Sequence, residues 1–252
     1  MKRIGQAGLV ATIAIVALWM SVSTAQAQVT CNGFAVTMGC TVNSMAGQPC
    51  VGTTNDDVIV GTAGADVIAG LSGNDMIDGG DSDDSLCGGN GNDTINGGLG
   101  GDNIRGDADD DIIDGGDGND TINAGLGNDQ ASGGSGFDRI SGVDGDDTLT
   151  GGLDDDIVNG GQGDDTLSGE EGDDRLEGND GDDMLLGGLG HDRLKGGAGN
   201  DIMDGGDDDD RLEGQEGDDF LDGGAGERDR LTGGKDLDTC VGGERVATCE
   251  LP

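Results

Sequence analysis

The chain has 252 residues, of which 56 are glycine, and 53 acidic residues outnumber 12 basic ones, giving a net charge of -41. This balance excludes nucleic acid as an expected partner, because binding to phosphates needs Lys and Arg, and it favours cations instead. Chains so rich in glycine and charge are usually disordered, so disorder of the ligand-free chain is the alternative to a fold.

The first 27 residues have the pattern of an export signal. Two basic residues, Lys2 and Arg3, precede a largely apolar run at 9–20, and Ala25-Gln26-Ala27 fits a small-residue cleavage site. A membrane anchor is the alternative, but about twelve apolar residues are too few to span a bilayer. We therefore predict a signal peptide at 1–27, a secreted protein and no membrane span after cleavage. The mature chain would carry 10 basic and 53 acidic residues, a net charge of -43.

Of the six cysteines, three lie near the start of the remaining chain (Cys31, Cys40 and Cys50), Cys87 lies further in, and Cys240 and Cys249 lie near its end. In an exported protein, disulfides are more favoured than free thiols, and a metal site is disfavoured because the sequence has no C-x-x-C pair. Six cysteines allow fifteen pairings, between which the sequence does not choose. The preferred set closes residues 28–51 into an N-terminal cap and ties both ends to their neighbours: Cys40 with Cys50, Cys31 with Cys87, and Cys240 with Cys249.

Between these ends, from Gly52 to Asp222, the sequence consists of nineteen consecutive nine-residue units of the form G-G-x-G-x-D-x-U-x, where U is aliphatic. Residues 88–96, for example, read GGNGNDTIN. Position six is Asp in all nineteen units, while positions one and eight follow the pattern in eighteen each. Such a fixed period is the signature of a repeat architecture.

Each unit predicts a turn followed by a very short strand. Glycines at positions one and four suit backbone conformations that other residues avoid, and the exceptions at position four are short polar residues tolerated in turns: Asn55, Ser82, Asp109, Asp154 and Asp208. Positions seven to nine form the strand, with position eight pointing inward. We therefore predict an all-β parallel β-roll, a β-solenoid with two repeats per coil, in which Ile59 stacks on Ile77. Its nine and a half coils would stand about 45 Å tall.

The repeat frame breaks at Gly223, where one unit has ten residues. Residues 233–241 regain the frame, with Asp238 at position six and Cys240 at the core position. In the last unit, 242–250, Ala247 falls where Asp is expected. A degenerate final repeat suits the end of a solenoid, so the β-roll is predicted at 52–241 and a degenerate cap at 242–252.

The stacked Asp residues predict a bound cation. Unit charges about 4.8 Å apart repel by about 0.9 kcal/mol even in water, and some seventeen stacked pairs give about 15 kcal/mol, as much as the whole stability of a domain. A divalent cation reverses this repulsion. Carboxylate and carbonyl oxygens are ligands that suit Ca²⁺. With one ion between each turn and the turn two units later, nineteen units would give at most about seventeen sites.

The array resembles the repeat-in-toxin (RTX), or haemolysin-type calcium-binding, nonapeptide repeat family over residues 52–241. The resemblance implies a parallel β-roll that holds Ca²⁺ between turns through the position-six Asp and through carbonyls at turn positions one, two and four. The implied carboxylate ligands are Asp57, Asp66, Asp75, Asp84, Asp93, Asp102, Asp111, Asp120, Asp129, Asp138, Asp147, Asp156, Asp165, Asp174, Asp183, Asp192, Asp201, Asp210 and Asp219. The implied carbonyl ligands include Gly88, Gly89, Gly91, Gly115, Gly116 and Gly118.

The chain departs from typical members of that family in two ways. It has the pattern of an N-terminal export signal instead of a C-terminal one, and it leaves no room for an attached toxin, protease or lipase domain. An enzyme is not predicted, because residues 28–51 are too short for a catalytic domain and His191, the single histidine, is best read as a solvated turn residue. Carboxylate pairs such as Asp164-Asp165 recur with the repeat, so calcium binding and solvation explain them better than glycosidase chemistry.

The side chains that face outward from the two sheets offer surfaces on which a partner could bind. On one sheet, Arg175, Arg193 and Arg211 should recur in one column, with Glu177 and Glu213 beside them. On the opposite sheet an apolar stripe is predicted, and exposed apolar patches can mark a partner surface: Met184, Leu186, Ile202 and Phe220. Alternatively, the tail from 223 folds over the stripe and covers it.

The predicted function is therefore that of a secreted, non-enzymatic protein that binds many Ca²⁺ ions and folds on binding them. The alternative is a cell-surface or matrix adhesion module that uses the calcium-loaded β-roll as a scaffold. An unrecognised hydrolase is a remote third hypothesis.

Overall fold

The computed structural model describes residues 29–31, 34–36, 50–243 and 245–249. In chain order the strands are β1 (Val29–Cys31), β2 (Phe34–Val36), β3 (Cys50–Val51), β4 (Val58–Thr62), β5 (Val67–Ser72), β6 (Met76–Asp81), β7 (Ser85–Asn90), β8 (Thr94–Leu99), β9 (Asn103–Ala108), β10 (Ile112–Asp117), β11 (Thr121–Leu126), β12 (Gln130–Ser135), β13 (Arg139–Asp144), β14 (Thr148–Leu153), β15 (Ile157–Gln162), β16 (Thr166–Glu171), β17 (Arg175–Asp180), β18 (Met184–Leu189), β19 (Arg193–Ala198), β20 (Ile202–Asp207), β21 (Arg211–Glu216), β22 (Phe220–Asp222), β23 (Arg230–Lys235), β24 (Thr239–Val241) and β25 (Arg245–Ala247).

Successive strands alternate between two parallel sheets. The even-numbered strands from β4 to β24 form an eleven-stranded sheet, and the odd-numbered strands from β3 to β25 form a twelve-stranded sheet. Strands β1 and β2 form a separate antiparallel pair. This is a parallel β-solenoid with two repeats per coil, so the predicted fold class is confirmed. At about 4.8 Å between strands the longer sheet spans about 53 Å, more than predicted, because partial coils extend the repeat array at both ends.

The core is a single stack of position-eight side chains. Ile59 pairs with Ile77 in neighbouring coils, as predicted, and the buried core cluster continues along the solenoid to Leu231 and Cys240. Even Ala131, the one exception to the aliphatic pattern, is buried at 5% exposure. With one aliphatic side chain per nine residues, apolar burial is small for a chain of this length, so other interactions must contribute to stability.

The strands are longer than the sequence predicts. A typical strand such as β8 (Thr94–Leu99) contains positions seven to nine and then positions one to three of the next unit, with the burial alternating so that positions eight and one face inward. The expectation that strands cover positions seven to nine alone is wrong. The glycine pair continues the strand because its backbone joins the parallel ladder, as in the pairing of Gly98 with Gly116, and only positions four to six turn.

The two glycines of each pair have different roles. Position-two and position-four residues take positive φ, for example Gly89 at 122° and Gly91 at 110°, whereas the position-one glycines do not. The prediction for position four holds, and four of its exceptions also take positive φ: Ser82, Asp109, Asp154 and Asp208. For position one the prediction is wrong. Glycine is needed there for space, since it faces the interior beside an Asp side chain.

A β-branched residue at position two is strained. Val143 has a φ of 99°, a region that costs a non-glycine residue about 1–3 kcal/mol. We expect Val143→Gly to stabilise the folded protein by about 1 kcal/mol. Thermal denaturation in saturating calcium would measure this as a raised midpoint. Val158→Gly, which removes a buried core side chain instead, should lower it, and a lowered midpoint for Val143→Gly would contradict the prediction.

The C-terminal end absorbs the frame break. Arg211 pairs with Arg230 across the ten-residue unit, so the extra residue is contained in the turn before β23. Asp238 and Cys240 occupy the predicted positions. The frame predicted for the last unit is wrong, because Ala247 pairs with Thr232 at position nine and does not stand in the Asp column. The turn before β25 is shorter than the turn of a nine-residue unit, so Arg245 stands at position seven.

One predicted disulfide is present and the others remain predictions. Cys240 and Cys249 are bonded, with their Cα atoms 5.8 Å apart, which closes the C-terminal coil. At the other end, Cys50 pairs with Ile68 in the sheet, so the solenoid begins two residues before the first complete repeat. The proposed bonds of Cys40 and of the Cys31 side chain involve positions outside the described residues. The predicted signal at 1–27 also lies outside them, and no helix long and apolar enough to cross a membrane occurs in the described part of the chain.

Candidate metal site

The position-six Asp side chains form two buried columns, one at each edge of the solenoid. From Asp66 to Asp219 every one of them is 4% exposed or less, and Asp57 in the first turn is half-buried. Asp229 and Asp238 join the columns beyond the frame break, both at 1% exposure or less. The structure thus brings together all nineteen predicted carboxylates and adds two more. Asp229 could have been found from the sequence, because Asp229-Arg230-Leu231 keeps the spacing of positions six to eight.

One oxygen of each carboxylate is used by the backbone. The amide N–H of every column Asp from Asp57 to Asp219 donates to Oδ1 of the Asp one coil later, as from Asp75 to Asp93 at 2.8 Å and from Asp93 to Asp111 at 2.8 Å. The series crosses the frame break, where Asp210 donates to Oδ1 of Asp229 at 2.9 Å. These bonds fix the orientation of every carboxylate along the column.

The second oxygen has no hydrogen-bond partner within the described residues. Oδ2 is buried and unpartnered in every column Asp from Asp75 to Asp229. In the first two turns threonines replace this arrangement: Thr62 donates to Oδ2 of Asp66 from both its amide, at 2.6 Å, and its hydroxyl, at 2.8 Å. These threonines stand at position two in those units, where the repeat pattern has glycine and gives no sign of a ligand role. A buried carboxylate oxygen without a donor is costly, so a proton or cation must neutralise it.

A backbone carbonyl lies close to each unpartnered oxygen. The point that a Cβ on Gly70 would occupy lies 2.2 Å from Asp75 Oδ2 and 2.6 Å from the carbonyl oxygen of Gly88. A Cβ on Gly97 would likewise lie 2.4 Å from Asp102 Oδ2 and 2.3 Å from the carbonyl oxygen of Gly115. A carboxylate oxygen and a carbonyl oxygen thus lie on the same side of each of these glycines, and oxygens of both kinds are ligands that hard cations bind.

The other four predicted carbonyl ligands are placed differently. Gly89, Gly91, Gly116 and Gly118 all take positive φ in the turn regions. The carbonyl oxygens of Gly116 and Gly118 point along the stack, within 2.2 Å and 2.0 Å of where a Cβ on Gly134 and Gly136 would lie. No three His, Cys, Asp or Glu side chains converge to hold a metal in the described ranges, so a cation here would depend on backbone oxygens.

Burial raises the pKa values of carboxyl groups in the columns. Loss of solvent raises the pKa of Asp111 to about 8 and that of Asp120 and Asp147 to about 7, and the charges of neighbouring Asp residues along the column add to the shift. The backbone N–H donors act in the opposite direction but do not outweigh desolvation. For Asp93 and Asp183 the pKa rises to about 6 for the same reasons. The folded chain therefore favours neutralised carboxylates at these positions.

The protein's own cations do not neutralise the columns. The ion pairs among the described residues join outward groups, such as Arg105 to Asp107 and Arg228 to Asp209, and none of them involves a column Asp. Any compensating charge for the columns has to come from solution. His191 lies in an exposed turn, where its Nδ1 is 3.2 Å from the backbone nitrogen of Asp209, consistent with the turn role predicted for it.

Comparison with family models identifies the repeat. A family model described as "RTX calcium-binding nonapeptide repeat (4 copies)" matches residues 51–86, 60–95, 69–104, 96–131, 132–167, 159–194 and 195–228. Among solved structures, the chain is similar to the X-ray crystal structure of a hyperactive, Ca²⁺-dependent, beta-helical antifreeze protein from an Antarctic bacterium. That pair is 21% identical, covers 81% of this chain and 80% of the other, and has a TM-score of 0.41. No curated protein matches the chain.

Proposed function

Since the chain belongs to the RTX calcium-binding nonapeptide repeat family, whose model matches residues 51–228, we propose that it is a secreted protein that binds Ca²⁺ along both Asp columns and folds on binding. The family membership supports calcium as the ligand. Export is supported by the pattern of residues 1–27, and folding on binding is supported by the charge of the columns.

The observation that carries this proposal is the repeated unpartnered oxygen. Every column Asp from Asp75 to Asp229 buries an Oδ2 atom without a donor, and the side chain of Arg or Lys reaches none of them in the described ion pairs. Without cations the folded state would hold two rows of like charges in a region of low dielectric. Bound divalent ions would turn each row into an alternation of opposite charges.

Calcium fits this donor set better than magnesium. Ca²⁺ accepts six to eight oxygen ligands in flexible geometry, whereas Mg²⁺ demands a small octahedron and keeps its water. In the present site, carboxylate and carbonyl oxygens such as Asp75 Oδ2 and the Gly88 carbonyl are held by a rigid sheet. With Asp229 and Asp238 the columns contain 19 + 2 = 21 carboxylates. One ion per stacked pair would give at most 21 − 2 = 19 sites, two more than the repeat count alone suggests.

The proposed role is binding, not catalysis. The buried carboxylates recur in every coil with the same hydrogen bonds, which suits many equivalent ions more than one reactive centre. Far-UV circular dichroism during titration with Ca²⁺ and Mg²⁺ tests the proposal. A gain of β-sheet signal with calcium supports it, and an unchanged spectrum at millimolar calcium would sink it.

Position one should be sensitive to a methyl group. Gly142 does not take positive φ, but a Cβ there would lie 2.0 Å from Asp147 Oδ2. We expect Gly142→Ala to displace that carboxylate, to reduce the bound calcium by about one ion and to destabilise the loaded protein by about 1–3 kcal/mol. Isothermal titration calorimetry and thermal denaturation in calcium would measure the two effects.

Two residues control for this change. Gly64→Ala adds the same methyl group where no atom lies within 4 Å, and it should leave calcium binding unaltered. Ala124 naturally occupies position one and is fully buried, so the backbone accepts alanine there and Gly142→Ala should fold. Equal calcium stoichiometry and equal midpoints for Gly142→Ala and Gly64→Ala would contradict a site beside Asp147.

A second candidate function is adhesion through the even-numbered sheet. The residues of the predicted apolar stripe are between 37% and 48% exposed: Met184, Leu186, Ile202 and Phe220. The tail does not fold over them, because Phe220 pairs with Thr239 and the tail adds strands to the solenoid instead. Retention of the protein on cells after export would support adhesion, whereas release into the medium would favour a soluble calcium-binding protein.

A further inference from the structure

Five consecutive coils present arginine on the outer face of the odd-numbered sheet. The strand register places Arg175 beside Arg193, Arg193 beside Arg211, Arg211 beside Arg230, and Arg230 beside Arg245. All five side chains are exposed, and neighbours in the row are about 4.8 Å apart along the sheet. The sequence predicted the first three members of this arginine column. The last two were not predicted, because the frame break and the shortened final turn displace them, although the run Asp229-Arg230-Leu231 would have placed Arg230 at position seven.

The basic residues of the solenoid are sorted onto this one sheet. The strands of the even-numbered sheet contain no Lys or Arg, while Lys195 lies beside the arginine column. Glu177 and Glu213 form ion pairs with the first and third arginines. Between these rows lie two open grooves of about 200 Å³ and 280 Å³. In a protein with a net charge of -41, a continuous basic row on a single face is unlike the rest of the surface.

We propose that the arginine column binds a linear polyanion, namely an acidic polysaccharide that carries carboxylate or sulfate groups. Guanidinium groups bind such oxyanions with paired hydrogen bonds, and a straight row suits an extended polymer. Because neighbouring arginines repel each other, anionic groups lying over the row would relieve that repulsion. The grooves are open and shallow, so they fit a chain lying along the face more than a small enclosed ligand.

Nucleic acid suits this face less well. Proteins that bind single strands combine basic grooves with aromatic side chains that stack on bases. The strands of the odd-numbered sheet contain no Phe, Tyr or Trp, so this face offers no stacking platform. The phosphate contacts alone would have to overcome the negative charge of the whole chain.

A second copy of the chain also suits this face less well. The exposed acids that such a copy could offer are spread over its turns and over strands such as β10 and β20, which carry Asp114 and Asp204, and oxygens of many turn acids already accept hydrogen bonds within the solenoid. Asp146 Oδ1 accepts the amide N–H of Asp164 at 3.0 Å, and Asp164 Oδ1 accepts that of Asp182 at 2.9 Å. The remaining surface of a second copy would repel the first. A separate polymer can present its anions to the arginine column alone.

Calcium connects this inference to the proposed function. The inference rests on the calcium-loaded fold, because the column forms only when coils stack in register, and because bound calcium lowers the negative charge that would repel a polyanion. Binding is therefore expected with calcium and absent without it. Calcium dependence alone does not test the arginine column, because calcium could also bridge acidic groups of the protein and the polymer. Substitution of the arginines distinguishes the two.

The experiment measures binding of the calcium-loaded protein to heparin, a sulfated polymer, and to polygalacturonate, a carboxylated one, by biolayer interferometry. The triple variant R193S/R211S/R230S should bind at least tenfold more weakly. Arg139 belongs to the same sheet but is separated from the column by Ile157, so R139S should change affinity less than twofold. The double variant E177Q/E213Q frees two arginines from their ion pairs and should bind more tightly than the unaltered protein.

Each other result overturns the proposal. Equal binding by the triple variant and R139S would show that the arginine column is not the site. Tighter arginine-dependent binding to a single-stranded oligonucleotide than to either polysaccharide would assign the face to nucleic acid. Calcium-dependent dimers in sedimentation that disappear in the triple variant would assign it to a second copy. If all variants gain a β-sheet spectrum with calcium but binding does not depend on the arginines, only this inference is contradicted. If the unaltered protein gains no β-sheet spectrum with calcium, the proposed function is contradicted instead.

Discussion

Removal of calcium is expected to abolish most of the β-sheet signal of this protein in far-UV circular dichroism. The folded state buries carboxylates from Asp66 to Asp238 in two columns, and the core contributes one aliphatic side chain per nine residues. Each stacked pair repels by about 0.9 kcal/mol in water and by more inside the protein. Summed over both columns, this repulsion exceeds the free energy of unfolding of an ordinary domain. Chelation should therefore unfold the array, and millimolar calcium should restore its spectrum.

Magnesium provides the control for ion type. At the same ionic strength Mg²⁺ should restore much less of the signal, because its small octahedral shell fits this set of carboxylates and carbonyls poorly. A monovalent salt at high concentration screens charge without binding specifically, and it should also restore little. Full β-sheet signal in the chelator, or equal recovery with all three salts, would contradict a fold that depends on bound calcium.

Acidification is expected to weaken the binding of calcium to the folded columns. Burial raises the pKa of Asp111 to about 8 and those of Asp147 and Asp165 to about 7, well above the ordinary value of about 3.9 for Asp. Calcium requires the ionised form, so protons compete with it as the pH falls from about 8 to 6. The unfolded chain has carboxyl pKa values near 3.9 and stays ionised over this range, so folding on calcium exchanges few protons, and the calcium concentration at the folding midpoint should change by less than about twofold between pH 8 and 6.

The calcium-free chain should respond to pH in the opposite sense. A carboxyl group whose folded pKa is raised binds its proton more tightly in the folded state than in the unfolded state. The resulting destabilisation is fully present above about pH 8, decreases as the pH falls through the folded pKa values, and disappears below the unfolded value near 3.9. Circular dichroism in a chelator should therefore show more β-sheet at pH 4 than at pH 8. No gain of β-sheet signal at pH 4 in the chelator would contradict the shifted column.

The repeat period was enough to predict the architecture. Asp and an aliphatic residue held in phase over nineteen units require equivalent environments for equivalent positions, and two units per coil is what stacks Ile59 on Ile77. The Asp columns follow from the same periodicity. The candidate ligands could thus be named by residue number from the sequence, although their common burial and their unpartnered Oδ2 atoms required the structure.

The roles of the glycines could not be predicted in the same way. Gly88 and Gly89 are identical in the sequence, yet Gly88 faces the interior beside Asp93 while Gly89 takes positive φ. Glycine has no side chain to reveal whether a position needs space or needs an unusual backbone conformation. The prediction for the last turn was wrong for a different reason. The shortened turn before Arg245 has no repeat pattern to reveal its length, so Ala247 was assigned to the wrong position.

The hydrogen bonds of the Asp columns all run in one direction, so the two ends of the solenoid are not equivalent. Each column amide donates to a carboxylate in the following coil, as Asp75 does to Asp93. Loss of a coil from the C-terminal end therefore leaves buried amides of the coil before it without acceptors, which is costly. Loss of a coil from the N-terminal end orphans no amide in this series. Erosion from the C-terminal end is thus the more damaging kind, and it is at that end that the Cys240–Cys249 disulfide closes the chain.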